Sequence, residues 1–200
     1  MSKVYSRETQ LRERLNAFLE EEFALPKSDY YARMDLDGFL QLKSVLSGIN
    51  NIFTLKVSLA FAEWVAGHLA LDDSAKQQII SQIQKTNPNA NGYDIEVSEP
   101  VKLIAEVKCN VPINGGRVYG SAQRNGLAKD IKALIHGKTK SPVLPEDYLK
   151  FMVFLDMPEI RDATANYVKN MKEDKERIAY PDIGSIVADT SKVYVVYVGF

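Results

Sequence analysis

The chain has one cysteine, two histidines and one tryptophan among its 200 residues. A single thiol, Cys109, forms neither an internal disulfide nor a thiolate metal cage, which excludes zinc fingers and points to a reducing, cytoplasmic compartment. His68 and His136 are too far apart in sequence to suggest a zinc site or a catalytic triad. Net charge is nearly absent as well. With 25 basic and 26 acidic side chains the formal charge is -1, so no global field draws the protein to a polyanion and any nucleic-acid face must be local. No uninterrupted membrane-length apolar run occurs. The most apolar stretch, 55–71, carries Lys56, Glu63 and His68, which are costly in lipid, so it reads as a buried helix of a soluble protein with no membrane partner. The first eight residues lack the apolar core of a secretory signal. What the chain does have is 46% apolar residues, enough for one sizeable core.

Periodicity divides the chain in two. Leu11, Leu15, Phe18 and Leu19 predict an amphipathic helix over 7–23, which Pro26 ends. Further helices are predicted over 36–46, stopping near Gly48, and over 52–70. Asp72 and Asp73 can cap a fourth that holds Ile79, Ile80 and Ile83. Residues 87–92 have the composition of a loop. The period then changes to two, giving strands at 93–97 and 101–111 around Ser98-Glu99-Pro100. A loop with Gly115, Gly116 and Gly120 leads into a helix over 121–136, ended by Gly137. Residues 151–155 read as a buried strand, Pro158 opens a helix reaching about Ile178, and 193–198 form a last strand. This order predicts an α/β (α+β) domain over 51–200, with a mixed central sheet flanked by helices, and an N-terminal helical appendage over 1–50.

The hairpin carries the chemistry. Along its second strand the odd positions (Val101, Leu103, Ala105, Val107, Cys109, Val111) are all apolar, and the even ones include Lys102, Glu106 and Lys108. Tyr93, Ile95 and Val97 form the matching apolar set of the first strand. A turn centred on Pro100 makes paired residue numbers sum to 200, which sets Asp94 across from Glu106. Opposed carboxylates with Cβ atoms about 5 Å apart repel one another unless a cation lies between them. Mg²⁺ suits such oxygen ligands, and Lys108 would stand on the same face beside it. The plainer alternative is a hairpin whose outer face is simply wet.

The order Gly92-Tyr93-Asp94-Ile95-Glu96-Val97, then Ile104-Ala105-Glu106-Val107-Lys108-Cys109, then a helix carrying Gln123, resembles the PD-(D/E)xK nuclease superfamily over roughly residues 52–157. Tyr93 replaces that family's Pro. The resemblance implies a restriction-endonuclease-like fold and a Mg²⁺-dependent endonuclease, restriction-type among the options, with Mn²⁺ as a substitute ion. It implies catalytic roles for Asp94, Glu106, Lys108 and Gln123, with the metal held by Asp94 and Glu106. Glu96 points the same way as Asp94 and could serve instead. Glu63, in the helix before the hairpin, loosely matches a glutamate that reaches the metals in many members. A packing-seam neighbour of Lys56 is its equal alternative. DNA is the implied partner, and a homodimer is one way to cut both strands. A catalytically silent nucleic-acid-binding or assembly module of the same fold is the alternative function, and an unrelated α+β protein the third.

Charge is segregated around this motif. Residues 102–140 contain eight basic and two acidic side chains, a local charge of +6 against -7 for the remainder. A neutral protein needs such a local face to hold phosphates. Lys102, Arg117 and Arg124 are the candidate nucleic-acid contacts. Arg124 is placed near Leu127 and Ile131, turned toward the sheet, and Tyr119 is a candidate stacking surface. Cys109 shares the apolar face of Val107 and reads as a packed, inert thiol. Lys172 to Arg177 reads as a solvated helix end.

Overall fold

The computed structural model describes residues 5–86, 92–113, 116–139, 141–181 and 189–200. The expected loop at 87–91, together with Gly115 and Lys140, lies outside them. The chain divides into two compact units, Met1–Ile49 and Asn50–Phe200.

The first unit holds α1 (Arg7–Glu22), α2 (Tyr30–Arg33) and α3 (Leu36–Ser47). Each start is capped by a side-chain oxygen that accepts from a backbone N–H in the first turn: Ser6 from Thr9, Asp29 from Ala32, Asp35 from Gly38. Asp29 also pairs with Arg12, and Asn16 Oδ1 accepts from the N–H of Tyr31 at 3.0 Å. Polar contacts thus tie α2 to α1.

The second unit is a three-layer α/β/α sandwich. It contains α4 (Ile49–His68), α5 (Asp73–Lys85), β1 (Ile95–Val97), β2 (Leu103–Lys108), α6 (Ser121–His136), β3 (Leu149–Leu155), α7 (Pro158–Lys169), β4 (Ile178–Ala179) and β5 (Val193–Val198). The five strands run in the order β1-β2-β3-β5-β4. β1 is antiparallel to β2, and the other neighbours are parallel, so the sheet is mixed. Parallel strands are covered on both faces, and this is why Phe151–Leu155 and Val193–Val198 read as continuous apolar runs.

One layer packs Val57, Phe61, Val65, Ile79 and Ile83 from α4 and α5 against Leu103, Ala105, Val107, Phe151 and Val153. Phe61 meets Phe151 edge to face at 5.0 Å between ring centroids. The opposite layer packs Leu127, Ile131, Leu134, Ile160 and Ala163 from α6 and α7 against Ile104, Met152 and Phe154. The later part of α4 is core, whereas Ile52, Phe53 and Leu55 near its start remain exposed. The helical stretch Leu36–His68 contains an 18-residue window of mean hydropathy 1.4, long and apolar enough to cross a membrane by length and composition.

Three expectations change. The helix opened by Pro158 ends at Lys169 rather than near Ile178. Residues 172–177 offer no apolar stripe to hold a helix on the sheet; instead Asp174 takes a left-handed conformation, φ 57°, and the chain turns so that Ile178–Ala179 joins the sheet edge. Tyr93 does not share a face with Ile95 and Val97. It precedes the first ladder residue and packs in the α6 layer, its hydroxyl donating to the carbonyl of Ala133 at 2.9 Å. The wet outer face of the hairpin is also absent: Ile104 and Glu106 are buried beneath the α6 layer.

Candidate active site

The β1–β2 ladder pairs Ile95 with Ala105, Glu96 with Ile104 and Val97 with Leu103, so partners sum to 200 as the turn at Pro100 requires. Asp94 lies just before the ladder, which begins at Ile95, and its charge is near enough to Glu106 to raise that carboxyl. Asp94 Oδ2 accepts from the N–H of Val107 at 2.8 Å, which fixes its carboxylate against the backbone beside Glu106. Glu96 faces Ile104 instead. The register therefore selects Asp94 over Glu96 as the partner of Glu106.

Glu106 is one of few polar residues inside the second unit, with a side chain only 5% exposed. Its Oε1 lies 2.5 Å from Nζ of Lys138, a close ion pair that gives the buried carboxylate its counter-charge. Burial and the Asp94 charge push the Glu106 carboxyl up to about 7, against the opposing pull of Lys138. Lys108 Nζ pairs with Asp130 Oδ2 at 2.7 Å. Burial pulls the Lys108 ammonium down, but Asp130, Asp94 and Glu106 outweigh it, and its pKa ends above the ordinary lysine value. Lys108 is therefore a fixed positive charge and not a ready proton acceptor.

Gln123 spans the start of α6. Its Oε1 accepts from the N–H of Gly120 and its Nε2 donates to the carbonyl of Val111, both at 3.1 Å. The side chain thereby ties the segment leaving β2 to the next helix. Lys108, Asn110, Tyr119 and Gln123 line a cavity of about 280 Å³. Asp94 lines another, of about 370 Å³, with Asn51, Thr54 and Thr86. The charged cluster lies at the carboxyl end of β2, the end at which open α/β sheets bind ligands.

Other candidates lie elsewhere. Glu63 is 60% exposed and pairs with Lys76 of α5 at 3.4 Å. The structure does not bring it to Asp94 and Glu106. Lys102, at the opposite end of β2 from Lys108, pairs with Asp147 at 3.6 Å. Arg117 pairs with Asp162 at 3.4 Å. Arg124 is exposed and lines the groove between α6 and α7 with Asn125, Asn166 and Asn170, so it turns away from the sheet. Among the described residues, five of the cations between 102 and 140, with Lys132 on Glu173 as the fifth, are engaged in ion pairs. Tyr119 is buried, its hydroxyl sharing a hydrogen bond with Thr164 at 2.9 Å, and offers no open stacking face. Burial pushes the Cys109 thiol up to about 11, in keeping with a packed, inert cysteine.

Two members of the cluster, Asp130 and Lys138, enter the sequence reading only as charges to be counted. Asp130 leaves a signal: it interrupts the α6 stripe of Leu127, Ile131 and Leu134, which packs on the strand face carrying Glu106. Lys138 leaves none, because Gly137, with φ 90°, redirects the chain just before it. In comparisons with known proteins, the chain matches no family model, no curated protein and no solved structure.

Proposed function

We propose that this protein is a metal-dependent endonuclease of restriction-endonuclease-like fold, hydrolysing DNA phosphodiester bonds by in-line attack of water. The observation that carries the reading is Glu106, a carboxylate only 5% exposed and raised in pKa, held beside Asp94 and Lys108 at the carboxyl end of a parallel strand. Burying a carboxylate next to another is destabilising and calls for a functional reason. The antiparallel β1–β2 hairpin followed by α6 and the parallel strand β3 supports the fold assignment.

Asp94 and Glu106 offer carboxylate oxygens of the kind a hard divalent cation takes, with the Lys138 ammonium already on Glu106 as its competitor. Asp94 and Glu106 would hold Mg²⁺, with Mn²⁺ able to substitute. Such an ion would supply Lewis-acid activation of water and charge neutralisation at the scissile phosphate. Lys108 keeps its proton and offsets the negative charge that builds on the phosphate oxygens. Asp130 fixes the direction of Lys108, and Gln123 holds the wall of the cavity that Lys108 lines. Asp94→Ala and Lys108→Ala are each expected to abolish Mg²⁺-stimulated cleavage of plasmid DNA while leaving the circular dichroism spectrum unchanged. A folded variant that cuts as well as the parent defeats the reading.

A second reading keeps the fold without the chemistry, as a nucleic-acid-binding or assembly module. It is favoured by Lys138, which already gives Glu106 a counter-ion. DNA retention without cleavage and without any heat on Mn²⁺ titration would select it.

A further inference from the structure

Among the described residues of the first unit, none closes over the apolar stripe of α1. No residue of α1, α2 or α3 is buried; Leu11 is 46% exposed, Phe18 44%, and Leu15 and Leu19 are only half-buried. Phe18 meets Phe23 edge to face at 5.6 Å, but Phe23 is itself exposed. The contacts that tie α1 to the chain around α2 leave from another row: Arg12 to Asp29, Asn16 to Tyr31, and Glu20, which accepts from the N–H of Ser28 at 2.9 Å. At about 3.6 residues per turn, that polar row and the row of Leu11, Leu15 and Phe18 lie about a third of a turn apart. A helix in a protein draws most of its stability from packing such an apolar face, so this one calls for a cover.

The charges on α1 say what that cover is. Residues 7–14 hold three arginines and two glutamates, a charge of +1, and residues 15–22 hold three glutamates, a charge of -3. Those three, Glu20, Glu21 and Glu22, sit at the negative end of the helix dipole with no basic residue in the last turn to offset them. Of all the charges on α1, Arg12 alone is in an ion pair among the described residues. Arg7, Arg14 and Glu21 recur at seven-residue spacing along one flank of the stripe. A second α1 laid antiparallel, with Leu15 across from Phe18, brings Arg14 of each copy to Glu21 of the other, whereas a parallel one sets glutamate on glutamate. We propose that α1 is the docking surface for a second copy of this chain, packed antiparallel across Leu11, Leu15 and Phe18 with reciprocal Arg14–Glu21 pairs. The arrangement is two-fold and self-complementary, so it closes as a dimer and does not grow into a filament. One pair of short helices is a small interface, of the weak and concentration-dependent class. The inference does not depend on the nuclease reading.

The test is analytical ultracentrifugation of the full chain. Its mass is expected to rise from one chain toward two between about 1 μM and about 100 μM. Arg14→Glu and Glu21→Arg are each expected to weaken association at least tenfold, because each sets like charges together twice in the dimer. The double variant, which exchanges the two charges, is expected to associate within threefold of the parent. Both positions are exposed, so these substitutions leave the fold of the single chain intact. A parent that keeps the mass of one chain over the whole range overturns the inference, as do single variants that associate as well as the parent, or a double variant that recovers nothing. A parent that stays monomeric and floats with phosphatidylcholine vesicles assigns the stripe to a lipid surface and overturns it too. Each of these outcomes leaves the reading of Glu106 and its neighbours where it stands.

Discussion

Glu106 makes the stability of this protein depend on pH in an unusual direction for a carboxyl. Its folded-state pKa, about 7, lies above the ordinary value of 4.5. Between those two values the folded protein holds a proton that the unfolded chain releases, so stability falls as pH rises through the window. At about 1.4 kcal/mol per pKa unit the full effect is on the order of 3 kcal/mol. Chemical denaturation in EDTA at pH 5 and pH 8 is expected to show this loss in the parent and little of it in Glu106→Gln. Saturating Mn²⁺ is expected to flatten the parent's slope, since a bound cation favours the ionised form. An equal slope in the glutamine variant would mean that the titrating group lies elsewhere. Gln123 presents a different case, because both ends of its amide are already committed within the protein. Gln123→Ala is expected to cost about 1 to 2 kcal/mol of stability through two lost hydrogen bonds, without changing Mn²⁺ affinity. A large loss of affinity would make it a ligand instead.

Among the elements, β3 has the central place, paired on both sides and covered on both faces. Phe151 is fully buried in it and meets Phe61, Trp64 and Tyr194. Phe151→Ala is expected to cost about 3 to 5 kcal/mol, measured by urea denaturation, because rigid aromatic neighbours cannot close the space. The same strand illustrates what the sequence can show. Its apolar run at Phe151–Leu155, the Asp72 cap and the alternation over 101–111 each report a local cause, and an element forms at each, although the strand expected over 101–111 is confined to Leu103–Lys108 and is buried on both faces. The Pro100-centred register holds for Ile95, Glu96 and Val97, and Asp94 lies just beyond it. The partners of the two charged groups were not legible in this way. Asp130 and Lys138 reach β2 across 22 and 32 positions of chain, and only the docking of α6 on the sheet determines which charges meet. Short β4 likewise depends on where the chain returns after α7, not on any pattern in Ile178 and Ala179.

At the level of the whole molecule, both apolar layers and the complete sheet are drawn from residues of the second unit. A chain of residues 50–200 is therefore expected to fold alone with a single cooperative thermal transition and to keep the parent's Mn²⁺ stoichiometry. A fragment that binds the hydrophobic dye ANS and melts without cooperativity would show that residues 1–49 complete the core.

The sheet ends in brief strands on both sides, three residues in β1 and two in β4. Beyond them the margin steps back to Glu106–Lys108 of β2 and Val195–Val198 of β5, which no described strand pairs on that side, so these stretches are the ladder an incoming strand could extend. If the chain is the nuclease proposed above and works as a pair of copies, addition through the sheet margin would slow hydrogen exchange at Val195–Val198, whereas docking through helices would leave those amides unaltered.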